Sequence, residues 1–348
     1  MNRYSFNRRR NHGLSLVELM IALLVGLLLS AAVLQIFISS KNTYRMQESM
    51  ARLQENGRFA VSYMANDIRM AGYMGCGNID RIPVNNIGQA DDGGLAVASF
   101  DSNTIIVGSD NVVSGNVWGA APGTDTLVVR KVNGGGLRLT GNLATNNANI
   151  QIVDNSLNVQ AGDILFITDC INADIFRATN VSTGSDGKVT IAHSAAKNTS
   201  VNLSKMYGSD AEVMVFESAA YFVKETGRTT PNGDAIRALY VQRQAGKTAE
   251  TATAYELVEG VQDIQLEFGV DTGNDSLADV YRTANNVTDW AKVVSARFSL
   301  LMQGVEGKVL SSSGSMAQSI NYNGGAVAAD GRVRQVFGSV VAVRNRVP

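Results

Sequence analysis

Histidine is almost missing from this chain. Its 348 residues hold two, His12 and His193, which excludes a three-His zinc centre and any paired-His metalloprotease motif. Cysteine is equally scarce, with Cys76 and Cys170 only. They form no Cys-x-x-Cys pair and have no nearby His, so zinc and redox motifs are absent too. Charged residues make up 18%, below the roughly 25% of an average soluble domain. Thirty Lys plus Arg against 31 Asp plus Glu leave a net charge of −1, not the basic excess of a general nucleic-acid binder. No Gly-rich loop ends in Lys-Ser/Thr, so the chain has no ATPase motif of its own. Four Pro beside 34 Gly argue against collagen-like or Pro-rich sequence. Little enzymology survives these absences.

What is present begins at the N-terminus. Residues 1–13 carry Arg3, Arg8, Arg9 and Arg10 and no acid, and residues 14–40 are apolar with Glu18 as their one charge. As a helix, Leu14 to Ile38 spans roughly 37 Å, enough to cross a bilayer core of about 30 Å. The four Arg place the short tail in the cytoplasm and the rest outside. The run is too long for a signal-peptide core and no A-x-A-like site closes it. A plain anchor leaves Glu18 unexplained, since a carboxylate inside lipid costs roughly 2.5 kcal/mol or more. It needs a partner.

The helical pattern runs on past Lys41. Met46, Met50, Leu53, Gly57, Ala60, Met64, Ile68 and Ala71 form one stripe. Glu48, Arg52, Glu55, Arg58, Asp67 and Arg69 fall between them, and no Pro occurs before Pro83. Gly72 is the expected stop. From Tyr73 the chain turns to short β-branched runs between Gly, Asn, Ser and Asp. Strands are expected at Thr104–Val107, Thr126–Val132, Asn149–Val153, Asp163–Thr168, Phe176–Val181, Lys188–His193, Glu212–Phe216, Ala219–Lys224, Arg237–Gln242 and Ile264–Gly269. Residues 73–121 are expected to be loops with short strands. The fold class is therefore α+β, one long helix packed on a β-rich domain. The chain divides into a basic tail (1–13), an apolar, membrane-spanning half of the helix (14–40), an amphipathic half (41–72) and an extracytoplasmic β-rich domain (73–348).

Two stretches carry a family resemblance. Gly13-Leu14-Ser15-Leu16-Val17-Glu18-Leu19-Met20, behind its basic leader, resembles the type IV prepilin junction. The resemblance implies cleavage after Gly13 by a prepilin peptidase and methylation of the new N-terminus at Leu14. Glu18 becomes the fifth mature residue, which in that family meets the amino terminus of a neighbouring subunit. That new ammonium would neutralise Glu18 inside lipid. Cleavage would also remove four Arg and His12, taking the side-chain charge to −5. The second stretch runs from Leu257-Val258-Glu259-Gly260-Val261-Gln262-Asp263-Ile264 through Trp290 and Val293–Leu301 to Val333–Phe337 and Val341–Arg346. With Ala71-Gly72-Tyr73 and Cys76, this ordered set resembles the PilW family of minor pilins. Residues 77–250 resemble it only around Cys170.

The resemblance implies a structural protein, not an enzyme. Its partners would be the prepilin peptidase, the inner membrane, other minor pilins, the major pilin and a large pilus-tip protein. Its function would be priming of type IV pilus assembly from a tip complex, with neither cofactor nor nucleic acid. A J-type minor pseudopilin of type II secretion shares the layout and is the alternative. A tip-exposed adhesion or DNA-capture pilin is a third reading. Outside the cytoplasm, Cys76 and Cys170 read as one disulfide. Asp271, Asn274, Asp275 and Asp279 have the oxygen-rich look of a Ca²⁺ loop. They miss the EF-hand spacing and read first as an acidic turn. His193, in a strand-like run, reads as structural. Arg344 and Arg346 read as a solvated strand end, and Ser311–Ser315 as a loop.

Overall fold

The computed structural model describes residues 15–89, 100–245, 253–307, 310, 319–327 and 329–346. Its first element is one helix, α1 (Leu16–Arg69), about 81 Å long at the standard rise. Ser15 caps it, and the backbone N–H of the C-cap Met70 bonds back to carbonyls of the last turn. Gly72 follows with φ +73°, a left-handed turn that favours glycine. Its N–H donates to the Arg130 carbonyl, which fastens the helix end to the sheet.

Seventeen strands follow among the described residues. The first eight are β1 (Val84–Asn86), β2 (Ile106–Ser109), β3 (Thr126–Arg138), β4 (Ile150–Ile152), β5 (Ile164–Thr168), β6 (Ala173–Arg177), β7 (Asn180–Thr183) and β8 (Val189–Ala192). Then come β9 (Glu212–Thr229), β10 (Ala235–Ala245), β11 (Ala254–Glu259), β12 (Val261–Val270) and β13 (Val280–Arg282). The last are β14 (Val293–Gln303), β15 (Ile320–Tyr322), β16 (Gly325–Val327) and β17 (Arg334–Ala342). The architecture is α+β, one long N-terminal helix on a β-rich domain.

The larger sheet is organised by β9. One edge of β9 pairs with β3 over Glu212–Tyr221. The other pairs first with β5 over Glu212–Val215 and then with β10 over Glu217–Thr229. A second sheet runs β13-β12-β14-β17, and β4-β8-β7 make a small third one. The main core lies between α1 and the two large sheets. Leu53, Ala60, Met64 and Ile68 of the helix, with Ala71 just past its end, meet Tyr221, Leu266, Phe268, Phe298 and Leu300. Beyond the helix end, a separate cap core gathers Ile150, Ile152, Leu165, Ile167, Phe176, Val189, Ile191 and Tyr207.

The expected stripe holds in its C-terminal half and fails at one place. Met50 is 42% exposed, and Ser49 occupies the seam instead. Asp67, expected among the outward charges, is buried. The strand expected at Phe176–Val181 is two strands, broken at Ala178, whose N–H bonds to Asp163. The two strands expected at Glu212–Phe216 and Ala219–Lys224 are the single β9. The strand expected at Thr104–Val107 lies two residues later, as β2. The stretch expected as a loop at Ser311–Ser315 lies outside the described residues.

Gly57 is a tight point of the helix seam. A Cβ there would stand 2.5 Å from two ring carbons of Phe337 in β17. Gly57→Ala is therefore expected to cost about 2 kcal/mol by overpacking. Chemical denaturation of the variant, and of Gly57→Ala with Phe337→Leu, checks this. The second change should return part of the loss, and an additive pair would show that the ring is not the obstacle.

Candidate functional site

The candidate site begins where the description begins. Gly13 and Leu14 lie outside the described residues. Ser15 and Glu18 form a reciprocal pair at the helix start. The Ser15 Oγ accepts from the Glu18 N–H at 3.2 Å, and the Ser15 N–H donates to Glu18 Oε2 at 2.9 Å. This is a capping box, and it satisfies two backbone donors that a helix start otherwise leaves open. Ser-x-x-Glu at 15–18 announces it in the sequence, although the intramembrane acid draws attention first. The helix dipole favours the carboxylate at this end. Glu18 thus holds its own helix start while one face of its carboxylate stays exposed to a second cation.

The stalk above it has no cover. Every residue from 15 to 44 is exposed, including Leu24 at 62% and Ile36 at 70%. Among the described residues α1 is the one helix long and apolar enough to cross a membrane. Such a contiguous apolar surface marks an interaction with lipid or other apolar helices.

The other end of the helix is anchored by charge. Asp67 Oδ1 accepts from Lys131 Nζ at 2.8 Å, and Oδ2 from Arg243 Nη2 at 2.5 Å and from the Tyr221 hydroxyl. Arg243 Nη1 also binds Glu217, and its Nε donates to the Tyr63 hydroxyl at 3.2 Å. Burial by itself raises the Asp67 carboxyl. The hydrogen bonds from Lys131 and Tyr221 and the charges of Arg243 and Lys131 outweigh it, so the carboxyl sits below its usual range. For Tyr221 burial and the Asp67 charge both push the phenol up. Two acids face two cations here, so the network is close to neutral. Sequence reading missed it because its members come from α1, β3, β9 and β10.

The remaining candidates fall into place around this frame. Cys76 and Cys170 are disulfide-bonded with Cα atoms 5.5 Å apart, joining the segment after α1 to the β5–β6 turn. Asp271, Asn274, Asp275 and Asp279 share one loop. Asp271 accepts the N–H groups of Asn274 and Ser276, Asp275 that of Leu277, and Asp279 those of Thr272 and Gly273. Hydrogen bonds from Thr272 and Gly273 hold the Asp279 carboxyl below its usual range. These carboxylates serve the turn's own backbone. Among the described residues no three His, Cys, Asp or Glu side chains come together as a metal ion requires. His193 is buried with Nε2 3.0 Å from the Ala148 carbonyl and its ring edge-on to Phe176. Arg346 departs from expectation. It is buried, and its guanidinium donates to the Trp290, Val293 and Ser102 carbonyls, so it pins the chain end instead of facing solvent.

Comparison with known proteins bears on both ends of α1. The prokaryotic N-terminal methylation motif matches residues 8–34. The family described as type IV pilus-assembly protein W matches residues 220–345. Residues 220–345 are thus similar to the PilW family. The PilW-type region starts inside β9 and contains the whole β13-β12-β14-β17 sheet. Its partners in the helix anchor are Tyr221 and Arg243, whereas Lys131, Glu217 and the cap core lie outside it. Among solved structures the chain is similar to a type IV-like pilin, TTHA1219 from Thermus thermophilus. The identity is 12% and the TM-score 0.36, over 85% of this chain and 98% of that one. No curated protein matches it.

Proposed function

We propose that this PilW-type chain is a minor pilin that primes type IV pilus assembly from a tip complex. In this reading a prepilin peptidase cleaves between Gly13 and Leu14. The observation that carries it is the pairing of an uncovered apolar stalk with a single acid at its first turn. Lipid satisfies such a stalk before assembly and neighbouring pilin helices satisfy it afterwards. In both settings Glu18 requires a cation, and the amine of a neighbour's first mature residue is one of matching size and depth. The β-rich domain then lies outside the cytoplasmic membrane, at the pilus tip once assembled. Its role is to bind other minor pilins, the major pilin and a large tip protein, without catalysis.

Glu18→Ala is expected to be cleaved normally and to fail to restore pili in a deletion strain. Immunoblotting for the processed form and counting sheared surface pili check this. Normal pilus yield would remove the assigned role of Glu18. The pseudopilin alternative is separated by the deletion itself. Lost pili with intact exoprotein secretion support priming, and the converse supports a type II secretion tip.

A further inference from the structure

Among the described residues, the β13-β12-β14-β17 sheet ends on a strand with no strand partner on its outer side. β17 pairs with β14 from Arg334↔Gln303 to Ala342↔Ser295 without a register shift. Beyond its two ends, the Val343 N–H donates to Val294 O, and Gly304 N–H donates to Val333 O. Antiparallel ladders alternate bonded and non-bonded pairs, so the odd residues of β17 bond inward to β14. Val336, Gly338, Val340 and Ala342 therefore aim their N–H and C=O groups outward. Among the described residues nothing bonds to these four. Gly338, Val340 and Ala342 are exposed, Val340 at 54%. The helix seam does not cover them, because α1 packs on the opposite face at Phe337.

Proteins guard long edges with charge, proline, bulges or shortness. The other edges of the described sheets do so. β11 carries Glu256 and Glu259, both ion-paired with Arg228 across the sheet. β1, β4 and β13 have three residues each, and β2 and β7 have four. Past Arg334, which is buried and paired with Asp330, β17 has none of these protections. Gln335-Val336-Phe337-Gly338-Ser339-Val340-Val341-Ala342 holds no charge and no proline. Two residues on, Arg344 is exposed and has no acidic partner among the described residues. It lines a hollow of about 260 Å³ with Tyr73, Gly75, Cys76, Gly77 and Asn345.

We propose that the outer edge of β17 is a strand-addition site for an extended, uncharged segment of a partner protein that ends in a carboxylate. Backbone hydrogen bonds to Val336, Gly338, Val340 and Ala342 supply the pairing, and side chains alternate along it. The small outer row of this edge suits β-branched partners, and Arg344 in its hollow takes the acidic end. A second copy of β17 does not fit as well, since β17 contains no acid to offer Arg344. The inference holds whether or not the chain primes pili, because it rests on this edge alone.

The test uses the full chain in detergent micelles and a fluorescent ten-residue Thr-Val repeat ending in Asp. Saturable binding is expected by fluorescence anisotropy. The same peptide with alternate backbone nitrogens methylated should lose it. Val340→Pro places proline where the N–H faces outward, a position that edges tolerate, and should weaken binding about tenfold or more. Arg344→Glu should shift preference from the Asp-ended to a Lys-ended peptide. Absence of binding, or equal binding of the methylated peptide, would overturn the proposal. So would a dimer in sedimentation, without peptide, that Val340→Pro abolishes, because the edge would then belong to a second copy.

Discussion

Asp67→Asn is expected to lower stability by about 3 kcal/mol, as breaking one member out of a buried ion network does. The carboxylate meets Lys131, Arg243 and Tyr221 at once. An amide matches its shape but not its charge, leaving Lys131 and Arg243 with only Glu217 between them. The loss should be local at first, freeing the last turns of α1 from β3, β9 and β10. Urea unfolding followed by a probe near Tyr63 would register it. A variant within half a kcal/mol of the parent would mean that the apolar seam alone docks the helix.

The same residue sets a pH dependence whose sign can be worked out. Lys131, Tyr221 and Arg243 hold the folded Asp67 carboxyl below the usual carboxylate range. Its contribution is therefore complete above about pH 4 and is lost as pH falls through the folded value. The gap between parent and Asp67→Asn should be flat from pH 5 to 8 and close under stronger acid. Asp125 and Asp263 act in the opposite sense. Burial chiefly raises each to about 6, so ionising them as pH climbs from about 4 to 6 costs stability. Comparing parent with variant at each pH removes their share, since both chains carry it.

Cys76→Ser is the second large effect, with an expected loss of about 4 kcal/mol for a bridge spanning 94 positions. Reductant should bring the parent down to the variant and leave the variant unchanged. Cys170→Ser should match it, and the double variant should add nothing further. Melting temperatures with and without reductant decide the matter. Equal melting of parent and variant would show that the burial of Met74, Ile79 and Ile82 already fixes the segment after α1.

The helix was legible because its period and its lack of proline both persist over five dozen residues. Its inward face was misread at Met50 and Asp67, where a periodic pattern cannot tell a serine seam or a paired acid from a solvated flank. β9 looked like two strands for a physical reason. Its main-core positions are even at Met214 and Phe216 and odd at Ala219, Tyr221 and Val223. The change falls at Glu217-Ser218, which a reader of alternation takes for a break, while the ladder to β3 runs straight through and the other edge changes partner from β5 to β10. At the candidate site, Glu18 was legible from its isolation in an apolar run. Its Ser15 partner was equally visible as Ser-x-x-Glu. The Asp67 network was not, because its members are brought together only by the packing of the helix on the sheet.

The unbroken course of β9 has a mechanical side. Its first residues frame the cap core and its middle holds the helix through Tyr221 and Glu217, so one covalent strand links the far end of the molecule to the stalk. Tension that passes along β9 acts parallel to its backbone. It loads the β3 and β10 ladders in shear, many hydrogen bonds together, and does not peel them one by one. A pull that would unzip a hairpin is here shared along the length of the sheet.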